Sequence, residues 1–307
     1  MKATRDWFGE ALTNIGKIHN NVVVVNCDLG SALRATGFKL AYKDRFFECG
    51  IAEANAISIA AGMAQEGFRP FVLSFGHFLI GKYLEVFQSV GLNNTGVVLV
   101  GGHAGLAIGK DGPTQMGLRD LALMRTLHNI EILHPIDGVE TFQMMDYLAS
   151  HSRPSFIRIC RQPTSEVHDK NYQFKFGKPD VIQRTNNSYT TIFSMGGIVP
   201  SLVQCLKDFP VNIVNVSSLP IEKIQMLHIL EKTKHALVIE DHFIKGGLAD
   251  EIARLILEFN KNIRFDSWGI YDYAQAGDPK DLYERYKLDE NGIVDIVQKF
   301  LKKKPLW

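Results

Sequence analysis

The sequence predicts an α/β protein built of two doubly wound domains with mainly parallel sheets. Three observations carry this reading. Short apolar runs alternate with amphipathic stretches along nearly the whole chain, the runs are continuously apolar, and one polar, aperiodic stretch interrupts the pattern. Val22-Val23-Val24-Val25-Asn26 is the clearest run, of the kind found in strands covered on both faces.

Taken in order, residues 4–18 form an amphipathic helix and residues 22–26 a strand, followed by the loop Asp28-Leu29-Gly30-Ser31-Ala32. Phe46 and Phe47 lead through Gly50 into a helix that opens at Glu53. A strand over 70–75, a helix over 77–91 and a strand over 97–100 precede a long Gly-rich loop, 101–117. A helix over 119–127, a strand over 130–133, a helix over 138–150 and a strand over 155–160 complete the first domain, which ends in Arg161-Gln162-Pro163. Such alternation gathers loops at the carboxyl ends of the strands, where α/β proteins place their ligands. Residues 164–188 then turn polar and aperiodic. The expected organisation is a first domain over 1–165, a linker over 166–188 and a second α/β domain over 189–307. In the second domain, strands at 190–195, 211–216, 236–240 and 262–268 alternate with helices near 199–209, 221–233, 248–259, 279–286 and 293–302. The run Lys302-Lys303-Lys304 reads as a solvated helix end.

Composition narrows the functional classes. The 307 residues are 46% hydrophobic and 22% charged with a formal net charge of +1, which describes a globular chain with no bulk attraction to nucleic acid or anionic membrane. Cys27, Cys49, Cys160 and Cys205 are widely spaced, form no CxxC pair and sit in or beside apolar segments, as free thiols do. No basic segment precedes an apolar core at the N-terminus, and no apolar run approaches the ~20 residues of a membrane span. The expectation is a reduced, cytoplasmic protein.

Two stretches carry chemistry. Glu53 opens a helix in which nearly every residue from Ile57 to Ala64 is small or apolar. An acidic residue in a first helical turn has an ordinary role in complementing the macrodipole. A carboxyl group where water is scarce can also exchange a proton near neutrality. The second stretch is the loop Gly101 to Gln115, and loops longer than ~12 residues inside a compact domain are usually functional or disordered. Its Leu106-Ala107-Ile108 segment and Asp111-Gly112-Pro113 turn argue for a defined structure. His103, Asp111 and Gln115 suggest a polar lining able to hydrogen-bond a small hydroxylated molecule. For phosphate, the chain offers Arg5, Ser31 and Arg161, each of which taken singly also fits an ordinary surface role.

These stretches together carry a resemblance. FECGIAEANAISIAAG from Phe47 to Gly62, RPFVLSFGHFL from Arg69 to Leu79, GKDGPT from Gly109 to Thr114 and Arg161-Gln162-Pro163 resemble the thiamine-diphosphate family of transketolases. Ala3-Thr4-Arg5 resembles the start of the family's pyrimidine-binding domain. The unit from Tyr189 resembles its C-terminal domain, down to Glu240-Asp241-His242 and Gly246-Gly247-Leu248. The Gly-Asp-Gly motif with which the family grips the cofactor's diphosphate through a divalent metal, Mg2+ or Ca2+, does not occur. The resemblance therefore implies the C-terminal half of a transketolase encoded as two polypeptides. Its expected partner is an N-terminal subunit that supplies the diphosphate and metal site, most simply in an α2β2 assembly with each active site at an interface.

The resemblance also implies roles. Glu53 corresponds to the glutamate that hydrogen-bonds the aminopyrimidine ring of thiamine diphosphate and favours the imino tautomer, through which the cofactor sheds its own thiazolium proton. Phe75 and Phe78 correspond to the aromatic residues packing that ring, and Asp28 is grouped with them as cofactor-binding. His103, Asp111 and Gln115 correspond to sugar contacts, with His103 also catalytic, and Arg5, Ser31 and Arg161 to a cradle for sugar phosphate. No residue of this chain is expected to ligate the metal. Three positions depart from the pattern. Gln115 stands where the family usually has a His that contacts the donor's terminal hydroxyl, Ala104 stands where an Asp commonly follows the loop His, and the Ser31 loop is shortened. Glutamine can hydrogen-bond a hydroxyl but cannot shuttle a proton near pH 7. The expected reaction is transfer of a two-carbon ketol unit from a phosphorylated ketose to an aldose, with an unusual sugar remaining open. Two other readings stay open: the β subunit of a 2-oxo acid dehydrogenase or a deoxyxylulose-phosphate-synthase-like enzyme, and a non-catalytic cofactor-binding subunit. The Asp111 to Thr114 turn with Arg161-Gln162-Pro163 weighs against the first, and the presence of Glu53 against the second.

Overall fold

The computed structural model describes residues 1–302. Its strands are β1 (Lys2–Ala3), β2 (Val22–Asn26), β3 (Phe46–Glu48), β4 (Arg69–Phe75), β5 (Val98–Gly102), β6 (Glu131–Leu133), β7 (Ser155–Ile159), β8 (Pro163–Thr164), β9 (Asp180–Gln183), β10 (Thr190–Ser194), β11 (Asn212–Asn215), β12 (Ser218–Leu219), β13 (His235–Phe243) and β14 (Arg264–Ile270). They form a seven-stranded sheet in the order β12-β6-β7-β5-β4-β2-β3, a five-stranded sheet in the order β14-β13-β10-β11-β9, and the small pair β1-β8. Strands β2 to β7 run parallel, as do β10, β11, β13 and β14. The antiparallel partners β12 and β9 lie at sheet edges.

The apolar runs are strands because both of their faces are covered. Val22 and Val24 face a core shared with Phe8, Leu12 and Ile15 of the helix Thr4–Ile18. Val25, Val72 and Leu99 face another, shared with Ala56, Ile57 and Ala60 of the helix Glu53–Gln65. Winding reverses between β2 and β4: the chain leaves β2 for the edge strand β3, then returns to the opposite side of β2 and proceeds through β5. That reversal is the topological switch point, where the diverging connections leave a crevice at the carboxyl edge.

Three details differ from expectation, and one expectation falls partly outside the described residues. The helix expected over 77–91 is interrupted: Gly76–Ile80 is helical, Gly81 and Lys82 break it, and the chain resumes at Tyr83–Glu85 and widens into a π-turn over Val86–Leu92. Gly81 is a poor helix former and stands at the break. Within the stretch expected to be a linker, β9 joins the second sheet antiparallel to β11, so that sheet begins before residue 189. Its four residues are half-buried, and no apolar run announces them. Strand β12, two residues long, extends from the second unit to pair with β6 of the first sheet. Of the expected solvated lysine run, Lys302 ends the helix Glu290–Lys302, and Lys303 and Lys304 lie outside the described residues. Among the described residues no helix is long and apolar enough to cross a membrane.

Candidate functional site

The residues singled out from sequence gather along the carboxyl edge of the first sheet. Gly50, in a left-handed turn at φ +69°, lets the chain leave β3 and enter the helix whose first residue is Glu53. The Glu53 side chain is 7% exposed. Its Oε1 accepts a hydrogen bond of 2.8 Å from the buried hydroxyl of Ser74 on β4. The next residue, Phe75, ends β4 and precedes the short helix Gly76–Ile80, and three residues on, Phe78 lies on the same side. The two rings stack with centroids 5.3 Å apart and planes inclined by 25°.

His103 follows the end of β5 in a left-handed conformation, φ +59°, uncommon for a residue with a Cβ. Its ring meets the edge of Phe75 with centroids 4.1 Å apart. Arg5 Nη1 lies 3.3 Å from His103 Nε2. A guanidinium only donates, so Nε2 accepts and the proton of the neutral ring sits on Nδ1. Burial, followed by the charges of Arg5 and Arg161, pulls the imidazole pKa down to about 3, which keeps the ring neutral at pH 7. His103 Nδ1 and Arg5 Nε are both buried with no partner in the protein. Buried polar groups are normally hydrogen-bonded, and two such orphans on residues in contact with each other mark a place suited to a polar ligand.

Arg5 owes its position to the β1-β8 pair, which pins the N-terminus beside the end of β7. The Arg5 amide donates to Cys160 O (3.2 Å), and the Cys160 amide donates to Thr4 Oγ1 (2.7 Å). The side chain also donates to Ala32 O at 3.3 Å, which brings the Ser31 loop alongside. Arg161 donates to Ile108 O at 3.4 Å and stands 3.9 Å from Asp111, both side chains about half exposed. Its tie to that loop is therefore weak. A continuous chain of contacts thus runs from Glu53 through Ser74, Phe75 and Phe78 to His103 and Arg5, with Arg161, paired loosely to Asp111, near enough for its charge to act on His103. Asp28 stands apart from it: exposed, with φ +59°, its amide donates to Glu48 Oε1 at 2.9 Å beyond the end of β2. Ser31 is exposed and reaches the cluster only through its neighbour Ala32. Gln115 is half-buried, its backbone held by a 3.0 Å bond to Gly112 O. A cavity of about 620 Å³ opens elsewhere, between Tyr189, Asn212 and His228 at the edge of the second sheet.

Sequence reasoning missed Ser74. A serine inside an apolar strand gives no signal of its own, and only its place directly before Phe75, across the crevice from Glu53, would have pointed to it.

Comparison with known families decides the identity of this arrangement. The transketolase pyrimidine binding domain matches residues 1–166, and the transketolase C-terminal domain matches residues 180–293. The chain belongs to the transketolase family. A Methanocaldococcus jannaschii protein, provisionally named a transketolase C-terminal section, is 29% identical over 98% of this chain and 97% of its own length. Human transketolase is 26% identical over 98% of this chain but only 49% of itself, so the chain spans about half the length of such full-length relatives. Among solved structures, one described as a split gene transketolase, inactive beta4 tetramer, superposes with a TM-score of 0.89 at 28% identity, covering 99% of this chain and all of that one. The transketolase of Campylobacter jejuni superposes with a TM-score of 0.83 at 18% identity over 97% of this chain and 46% of its own, which shows the shared fold. Family membership implies thiamine diphosphate and a divalent metal.

Proposed function

We propose that this chain is the C-terminal subunit of a split transketolase. It works with a partner that carries the diphosphate and metal site and transfers a two-carbon ketol unit from a phosphorylated ketose to an aldose. The observation that carries the proposal is the unbroken contact path at the switch point from Glu53, through stacked Phe75 and Phe78, to the orphaned polar atoms of His103 and Arg5.

The residues present fit thiamine diphosphate. Phe75 and Phe78 offer a flat apolar wall suited to an aromatic ring. Ser74 takes Oε1 of Glu53, leaving Oε2 to meet a ring nitrogen. When bound, the cofactor supplies the chemistry that cleaves a carbon–carbon bond beside a ketose carbonyl. Glu53 holds a proton at the ring nitrogen, and the buried setting keeps water from competing for it. Neutral His103 donates from Nδ1 to a sugar oxygen without adding charge. Arg5, with Arg161 beside it, attracts a phosphate. Gln115 leaves the donor's terminal hydroxyl without the imidazole usual there, and Ala104 leaves the position after His103 without a carboxylate, which favours a sugar held by neutral hydrogen bonds.

A surface beside Glu53 supports the two-chain reading. Ile51 is 85% exposed and Leu84 67%, with Ile59 and Phe87 partly exposed on the adjoining helix and turn. Clustered apolar side chains next to a site mark an interface. We place the partner there, most simply in an α2β2 assembly, with the metal held by the partner.

The test is reconstitution. The chain mixed with a partner bearing a Gly-Asp-Gly motif, thiamine diphosphate and Mg2+ is expected to transfer ketol from xylulose 5-phosphate or fructose 6-phosphate, and Glu53→Gln to abolish turnover while assembly persists. Full activity in Glu53→Gln would overturn its role, and decarboxylation of pyruvate in place of ketol transfer would favour a 2-oxo acid enzyme.

A further inference from the structure

Beneath the site, between the two units, lies a buried charge network distinct from the contacts that link Glu53 to His103 and Arg5. Arg158 of β7 is fully buried and pairs with Asp120 through two bonds, Nε to Oδ2 and Nη2 to Oδ1, both 3.0 Å. Its Nη2 also donates to Gly117 O at 2.9 Å, and its Nη1 to His134 Nδ1 at 3.0 Å. His134 must therefore carry its proton on Nε2, which lies 3.3 Å from Cys160 Sγ. The second unit closes the network from the other side. His242 of β13 places Nδ1 3.4 Å from Arg158 Nη1 and 3.6 Å from Asp241 Oδ1, and Nε2 2.6 Å from Glu240 Oε2. Glu240 is itself fixed by the amides of Leu248 and Ala249 at a helix N-terminus, and Asp241 by the Tyr283 hydroxyl at 3.2 Å.

This network touches both halves of the site. Gly117, held by Arg158, accepts from the Gly105 amide at 3.0 Å and donates its own amide to His103 O at 3.1 Å, so it closes the base of the loop that carries His103. The Asp120 carboxylate lies so close to Gly76, between Phe75 and Phe78, that no Cβ would fit there. Asp241 abuts Gly105 in the same way, at a backbone of φ +75° that favours glycine.

We infer that the Arg158–Asp120 pair, braced by His242 and Asp241 of the second unit, is a positioning element that sets the His103 loop against the Phe75–Phe78 pair. The inference rests on the reading of the site given above. None of these four residues touches substrate; they act through Gly117, Gly76 and Gly105. A buried ion pair is directional, and removing one member leaves a charge that the surroundings must move to meet. Glu240 is held by two backbone amides, Asp241 by the Tyr283 hydroxyl and Arg158 by Asp120 and His134, so that movement falls on the two glycine-lined segments.

Amide hydrogen exchange on the purified full chain, combined with kinetics of the reconstituted enzyme, tests this. In His242→Gln, exchange is expected to speed up about tenfold or more over residues 101–118 and 74–81, with β2 and β10 unchanged. Ketol transfer is expected to fall about 100-fold, with KM for the ketose phosphate raised. If His242→Gln does not fold, the near-isosteric Asp241→Asn is measured in the same way. Unchanged exchange over 101–118 in a folded variant, or a uniform rise across every segment, overturns the proposal. Local acceleration in a chain whose wild-type complex transfers no ketol supports the network and refutes the transketolase activity instead.

Discussion

Ser74 decides which oxygen of Glu53 remains free, because its hydroxyl already occupies Oε1 in a setting with almost no water. Ser74→Ala is expected to leave the strand intact and remove about 1 kcal/mol of orientation at the carboxylate. That corresponds to a roughly fivefold loss of kcat in the reconstituted enzyme. Steady-state kinetics at saturating cofactor checks it, and an unchanged kcat would mean that helix packing alone orients Glu53. The contrast between Glu53 and Ser74 shows what was legible. Glu53 lies at a helix start, where a local motif carries the signal, whereas Phe75 and Phe78 read as core residues until the resemblance gave them a role. Arg5 and His103 are 98 residues apart and meet only because a two-residue strand pair pins the N-terminus, so the sequence offered each as a separate candidate but spacing could not join them. The left-handed backbone of His103 was equally hidden, since nothing but the fold requires it there.

Among elements, the strands of the two parallel sheets were legible because continuous burial on both faces leaves a continuous apolar record. Strand β9 was not, because an edge strand that is half-buried needs no such record. What holds β9 near the first unit is also electrostatic. His168, in the stretch before it, places Nδ1 3.0 Å from Asp137 Oδ2 and Nε2 3.1 Å from Asp180 Oδ2. Asp137 in turn caps the helix Gly138–Ser150 by accepting from the Glu140 amide at 2.9 Å, so one imidazole ties β9 to a helix of the first unit. Burial alone would lower the His168 pKa, but hydrogen bonds to Asp137 and Asp180 outweigh it and push the value up to about 10. A pKa raised by folding stabilises the fold fully below the unfolded value near 6.5, and the contribution is lost as pH rises toward 10. The stability gap between the wild-type chain and His168→Gln is therefore expected to be largest below pH 6.5, to shrink between pH 6.5 and 10, and to close above it. Denaturant melts of both proteins across that range measure the gap, and a gap independent of pH would show that His168 contributes shape rather than charge.

At the scale of the whole molecule, the site lies at the carboxyl edge of the first sheet beside an apolar face, and the two facts explain each other. Single exposed apolar residues are ordinary on any surface, but Ile51 and Leu84 are largely uncovered and flank the helix that begins at Glu53. Full burial of a side chain such as Ile51 is worth about 1.5–3 kcal/mol, enough that a charge in its place would oppose docking. Within the chain alone that side chain buries little, so its replacement should leave the isolated fold within about 0.5 kcal/mol of wild type. Ile51→Lys is accordingly expected to unfold at the wild-type midpoint yet fail to form a stable complex with the N-terminal subunit, and to show no ketol transfer. Sedimentation of the mixed chains distinguishes this from a catalytic defect, because Glu53→Gln should still assemble. Wild-type assembly and turnover in Ile51→Lys would place the partner elsewhere.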